Sequence, residues 1–230
     1  MAPHAQTRAV SYEPIRVVMF FAVFASILSA MIVALYYLRP DEHITRPVFQ
    51  PPNGVFSSMW SILSVLGAVH SVALLTSDPH VSSIFYAGSW ILCATWAPLF
   101  ASERFHRANV VLLSAFALAT DACGIAPQPT SILDVCTVDA PFGLLSGWLG
   151  VASSLGVVIA NPKWNQKFVL PVVAAMVAAI AAILAKPFVC IPVLVVSVAN
   201  VHGDMMPAAF AAQISSLLGI LISLARPGVF

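Results

Sequence analysis

The stretch FQPPNGVFSSMWSILSVLGAVHSVALL, from Phe49 to Leu75, is the most informative part of the chain. Its first residues include two adjacent prolines and an Asn-Gly pair, which favour a stiff turn over a helix. From Val55 onward the sequence is mostly apolar for about 20 residues, the length that an α-helix needs to cross a bilayer. The stretch therefore predicts a rigid loop that leads directly into a membrane-spanning helix.

The composition of the whole chain indicates the same class of protein. Of its 230 residues, 60% are hydrophobic and only 8% are charged, and the mean hydropathy is +0.95. These values are typical of integral membrane proteins, in which helices satisfy the backbone hydrogen bonds internally. The apolar composition makes the lipid bilayer a predicted partner. The formal net charge is +1 and no long basic run occurs, so neither nucleic acid nor an anionic membrane surface is an indicated partner.

Apolar segments predict an all-α, polytopic transmembrane helix bundle with seven or eight spans. The sixth and seventh segments are short, and Lys186 and Pro187 interrupt the pattern between them. They form either two spans or one re-entrant segment, and eight spans is our prediction. The eight segments lie at about residues 15–38, 55–75, 84–101, 109–125, 142–160, 168–184, 187–201 and 205–224.

Three parts of the chain carry a resemblance to a known family. RPVFQPPNGVFSSMWSILSVLGAVHSVALL has the Pro-Pro-x-x-x-Phe-x-x-x-Trp pattern that opens the second helix of the TspO/MBR (tryptophan-rich sensory protein, or translocator protein) family. WILCATWAPLFASERFHRANVVLL resembles the third helix of that family with its short basic loop, and PFGLLSGWLGVASSLGVVIANPKW resembles the fifth. The resemblance covers about residues 15–165.

The resemblance implies a five-helix membrane unit at 15–165, after an N-terminal tail at 1–14 and before two or three further helices at 166–230. It also implies a pocket for porphyrins, sterols or other flat hydrophobic molecules, which opens near the loop after the first helix. Aromatic residues beside this rigid loop could line such a pocket. The predicted ligand-binding residues are Phe49, Pro51, Phe56, Trp60, Trp96 and Trp148.

Acidic and histidine residues supply a second set of candidates, because polar groups inside a membrane are costly and are often functional. His70 and Asp121 lie within the second and fourth spans, at depths that permit a hydrogen bond between them. Such a pair acts either as a base with its orienting carboxylate or only as a packing contact. Glu103 and Asp204 lie in loops that we expect on one side of the membrane, and they complete the candidate catalytic residues.

Two functions from different classes stay open. One is binding, with or without translocation, of a hydrophobic small molecule; the other is a membrane-embedded hydrolase or cyclase that opens an epoxide of a polyketide or terpenoid. No Gly-rich phosphate loop and no metal-ligand spacing occurs, so no cofactor and no metal site is predicted. Runs rich in alanine and glycine leave a homodimer open.

Overall fold

The computed structural model describes residues 13–37, 53–76, 80–161, 163, 166–201 and 205–225. These residues form α-helices joined by short turns, together with one π-helix and one 3₁₀-helix, and no strand occurs in these ranges. In chain order the elements are α1 (Glu13–Tyr37), α2 (Asn53–Thr76), α3 (Val81–Ala101), α4 (Phe105–Ile125), α5 (Ile132–Asp134), the π-helix Val135–Asp139, α6 (Ala140–Ala160), α7 (Gln166–Leu184), the 3₁₀-helix Pro187–Cys190, α8 (Ile191–Ala199) and α9 (Met206–Leu224).

The architecture confirms the predicted all-α membrane bundle. Six helical segments in the described ranges are long and apolar enough to cross a membrane, and two shorter apolar segments, Arg16–Ser29 and Pro187–Ala199, accompany them. The second of these has 13 residues and is about 20 Å long, which is less than the roughly 30 Å of a bilayer's hydrocarbon core. The predicted seventh span is therefore a short helix that begins, as expected, after the break at Lys186 and Pro187.

The helix α6 lies at the centre of the bundle. It contacts α2, α4 and α7 with its sides, and α3 packs between α1 and α4. Within the continuous helical segment Ile132–Ala160, 72% of an apolar 18-residue stretch is buried, a far larger share than in the corresponding stretch of any other membrane-length segment that the structure describes. Large apolar side chains on the outer faces of the other helices are exposed, as expected for surfaces that meet lipid.

Two glycines let the C-terminal helices approach α6 closely. A Cβ at Gly147 would overlap the carbonyl oxygen of Val189, and a Cβ at Gly143 would lie 2.6 Å from the Cβ of Phe188. The 3₁₀-helix therefore packs directly on the α6 backbone, as small residues allow in membrane bundles. Farther along, the Ser223 hydroxyl of α9 donates a 2.8 Å hydrogen bond to the Ala181 carbonyl of α7.

The fifth predicted span begins earlier than expected, because the chain is already helical before Pro141. Proline has no backbone N–H, so it cannot donate to the carbonyl of residue 137 as the α-helical pattern requires. At this point the backbone widens into the π-helix, and Ala140 donates to the carbonyl of Val135 instead. The carbonyl of Thr137 is left available for a partner outside the helix.

Candidate functional site

Aromatic side chains from α2, α3 and α6 meet in the interior around Trp60. The Trp60 ring stacks on Trp96, with ring centroids 6.3 Å apart, and meets Trp148 edge to face at 6.2 Å. Phe56, one helical turn before Trp60 on the same face of α2, contacts Trp148 at 5.5 Å. Trp90 completes the group at 6.3 Å from Trp60. We call Phe56, Trp60, Trp90, Trp96 and Trp148 the aromatic core.

Further rings extend the aromatic core in both directions along the bundle. At one end Phe100 contacts Trp96 at 5.3 Å and Phe105 at 5.1 Å, which brings the series to the turn between α3 and α4. At the other end Tyr86 contacts Trp90 and stacks on Phe142, with centroids 4.3 Å apart. Tyr86 and Phe100 are 14 residues apart in α3, so the series covers about 21 Å of the helix axis.

Four buried polar side-chain atoms along this series lack a hydrogen-bond partner among the described residues, and two of them are Nε1 of Trp90 and the hydroxyl oxygen of Tyr86. Nε1 of Trp148 and Nε2 of His70 are buried, and neither has a hydrogen-bond partner among the described residues. Leaving a buried polar atom unpaired costs about 1–3 kcal/mol, so native proteins keep few such atoms. Ligand sites in proteins commonly combine an apolar lining with a small number of polar groups of this kind.

The imidazole of His70 is held by the π-helix. Its Nδ1 lies 2.6 Å from the Thr137 carbonyl oxygen, which has no α-helical donor because residue 141 is a proline. Because a carbonyl oxygen only accepts, Nδ1 donates this hydrogen bond and Nε2 of the neutral ring is an acceptor. The rings of Tyr86 and Phe142 meet the imidazole edge to face at 5.0 and 4.9 Å.

A buried ion pair lies at the same end of α6. Nζ of Lys186 donates to Oδ1 of Asp139 at 2.6 Å, and the two side chains are only 3% and 7% exposed. Asp139 is the last residue of the π-helix, and Lys186 immediately precedes the 3₁₀-helix. Ala185 turns the chain toward the pair with a left-handed backbone, φ 55°. Opposite charges that leave water together are stabilised only by close pairing, and this geometry provides it.

Comparison with protein families matches residues 17–161 to the TspO/MBR family. The chain belongs to this family. The match covers more than half of the chain and includes all five residues of the aromatic core. A search among curated proteins and a search among solved structures each found no match.

Four of the six predicted ligand-binding residues of this TspO/MBR protein come together in the structure. Phe56, Trp60, Trp96 and Trp148 all belong to the aromatic core, whereas Phe49 and Pro51 lie outside the described residues. Trp90 completes the core and Tyr86 extends it, and neither was among the predicted binding residues. Their spacing of four residues in α3 indicates a shared helix face and could have suggested both.

The predicted pairing of His70 with Asp121 is wrong. His70 is 2% exposed and is bonded to Thr137, whereas Asp121 is exposed on α4. The buried face of α4 includes Ala115, Ala119 and Ala122, and a residue two positions from Ala119 points to the opposite side of a helix. The carboxylate of Asp121 therefore faces away from the interior.

Of the other two candidate catalytic residues, the structure describes Glu103 alone. Glu103 is exposed in the turn between α3 and α4, with φ 57°, and Asp204 lies outside the described residues. No hydrogen bond or ion pair joins any two of His70, Asp121 and Glu103, the candidates that the structure describes.

The turn between α3 and α4 borders a surface cavity of about 400 Å³. Phe105 lines this cavity and also contacts Phe100, so the cavity meets the end of the aromatic series. The remaining lining residues are polar or charged: Glu103, Arg104, His106 and Arg107. A polar surface opening thus lies next to an apolar aromatic interior.

Proposed function

We propose that this TspO/MBR protein binds a flat hydrophobic small molecule among the rings of the aromatic core. The observation that carries the proposal is the position of Trp60, whose ring meets Phe56, Trp90, Trp96 and Trp148 at centroid distances of 6.2–6.3 Å. Flat rings favour offset-stacked or edge-to-face neighbours, and a flat ligand between them would make the same contacts. The unpaired Nε1 of Trp148 adds a hydrogen-bond donor for an oxygen or nitrogen atom of the ligand.

In this proposal the ligand enters at the end of the bundle where α2 begins. The cavity at the α3–α4 turn lies at this end and is connected to Trp96 through Phe105 and Phe100. Phe49 and Pro51 precede α2 in the sequence and lie outside the described residues, so they stay predicted ligand-binding residues.

Binding of protoporphyrin IX to the full chain in lipid nanodiscs tests the proposal. The dissociation constant is measured from the porphyrin absorbance change for wild type, Trp60→Ala and Phe56→Ala. Phe168→Ala is the control. It removes the same type of side chain as Phe56→Ala, but Phe168 is 69% exposed on the outside of α7.

Loss of an aromatic anchor from a binding site weakens affinity by about tenfold or more, whereas Phe168→Ala should change it by less than about twofold. Thermal unfolding of each variant establishes that the bundle is intact. Unchanged porphyrin affinity in both folded core variants would refute binding among these rings.

A further inference from the structure

We propose that Nε2 of His70 accepts a hydrogen bond from a hydroxyl group of the bound molecule, so that among flat apolar ligands this protein prefers alcohols and phenols to molecules of the same ring system without a hydroxyl group. The inference rests on the proposed function and adds a specificity-determining residue at the end of the aromatic series farthest from Phe105.

The orientation of the imidazole follows from the backbone. Pro141 leaves the Thr137 carbonyl without its α-helical donor, and Nδ1 of His70 donates to that carbonyl at 2.6 Å. The hydrogen bond fixes both the tautomer and the position of the ring, since Nδ1 must carry the proton. Nε2 is then a lone-pair acceptor on a side chain that is only 2% exposed, and it has no partner among the described residues.

The surroundings of His70 favour a neutral ligand group over an ion. Tyr86 and Phe142 meet the imidazole ring edge to face and stack on each other, so these neighbours offer aromatic contacts but no formal charge. Asp139, two residues after Thr137, is paired with Lys186 at 2.6 Å and is not available as a counter-ion. A buried charge without a partner is strongly unfavourable, whereas a hydroxyl donor satisfies Nε2 at little cost.

The position of His70 also suits a ligand that lies in the aromatic core. Tyr86 contacts both His70 and Trp90, and Trp90 contacts Trp60, so one series of rings leads from the core to the acceptor. A flat molecule placed along this series would have its apolar body among the rings and its hydroxyl at Nε2.

Three probes of the same flat ring system test the inference: pyrene, 1-hydroxypyrene and 1-methoxypyrene. Only the second can donate a hydrogen bond. Saturable quenching of the protein's tryptophan fluorescence in nanodiscs, corrected with empty nanodiscs, gives a dissociation constant for each. Wild type should bind 1-hydroxypyrene about three- to tenfold more tightly than either of the others, the range expected for one net hydrogen bond.

Two His70 variants separate the roles of the two ring nitrogens. In His70→Asn the amide nitrogen can replace Nδ1 as the donor to Thr137, but no group reaches the position of Nε2; the preference for 1-hydroxypyrene should be lost while pyrene affinity stays within about twofold. His70→Gln places an amide near the position of Nε2 and should keep part of the preference. His80→Asn, at the exposed N-cap of α3, is the control and should keep all of it.

Equal affinity of wild type for the three probes would overturn the role of His70 and leave the proposed function standing. A preference that persists in His70→Asn would also overturn it. Absence of saturable quenching by every probe would overturn the proposed function and this inference together.

Discussion

Replacement of Lys186 by methionine tests whether the buried ion pair holds the C-terminal helices on the rest of the bundle. Methionine is similar in length to lysine, so apolar contacts of the side chain are largely kept and the ammonium group is what is lost. Asp139 then remains buried, 7% exposed, without its 2.6 Å partner. Asp139→Asn makes the complementary change and leaves the ammonium of Lys186 unpaired.

The size of the effect follows from the burial of both groups. A hydrogen bond to a charged group contributes about 1.5–3 kcal/mol, and removal of one member of a fully buried ion pair costs about 3–5 kcal/mol because the other charge is left uncompensated. Each single variant should therefore lower the free energy of unfolding by about 3–5 kcal/mol. The double variant Asp139→Leu with Lys186→Met removes both charges and should lie within about 1 kcal/mol of wild type, or above it.

Unfolding in micelles by titration with sodium dodecyl sulfate, followed by circular dichroism, gives the four free energies of this double-mutant cycle. Lys163→Met, which removes an exposed lysine, is the control and should change the free energy of unfolding by less than about 0.5 kcal/mol. Single variants within about 1 kcal/mol of wild type would refute the reasoning. So would a double variant whose loss equals the sum of the two single losses.

Two further predictions concern backbone packing and the exposed acid. Gly147→Ala should lower the free energy of unfolding by at least about 1–3 kcal/mol in the same titration, since its Cβ would overlap the Val189 carbonyl and a backbone atom cannot rotate away. The control is Gly54→Ala, which has no atom within 4 Å of the added Cβ and should be neutral or slightly stabilising. Equal effects of the two substitutions would contradict the packing argument. Asp121→Asn should change the dissociation constant for protoporphyrin IX by less than about twofold, because the side chain is exposed on α4, and a tenfold loss would place Asp121 in the site after all.

The positions of the membrane helices were predictable because the length of an apolar run is a local property of the sequence. The second predicted span, residues 55–75, corresponds to α2 at Asn53–Thr76, and the fourth, 109–125, corresponds to α4 at Phe105–Ile125. The interruption of the apolar pattern before Pro187 was also predictable from the sequence, since lysine and proline together disfavour a continuous apolar helix. The sequence analysis did not predict that residues 132–139 are helical, because a proline such as Pro141 normally marks the first turn of a helix.

The aromatic core was predictable in part, and the partner of His70 was not. The spacing of Phe56 and Trp60 places both on one face of α2, and the resemblance to the TspO/MBR family suggested that Trp96 and Trp148 face the same interior. His70 and Asp121 were paired from their depth along the helix axes alone. Depth leaves the rotation of each helix undetermined, and the alanines of α4 put Asp121 on the opposite face.

The ion pair joins residues 47 positions apart, Asp139 at the start of α6 and Lys186 after α7. In the sequence each lies at the edge of an apolar segment, where a charge normally reaches water or headgroups. What makes them partners is the close approach of the 3₁₀-helix to Gly143 and Gly147, which encloses both charges inside protein. Asp139 lies within the part of the chain that matches the TspO/MBR family, and Lys186 lies beyond it. A buried lysine after the match therefore needs an acid within it, and substitution of either residue alone should loosen the C-terminal helices from the family-matched bundle.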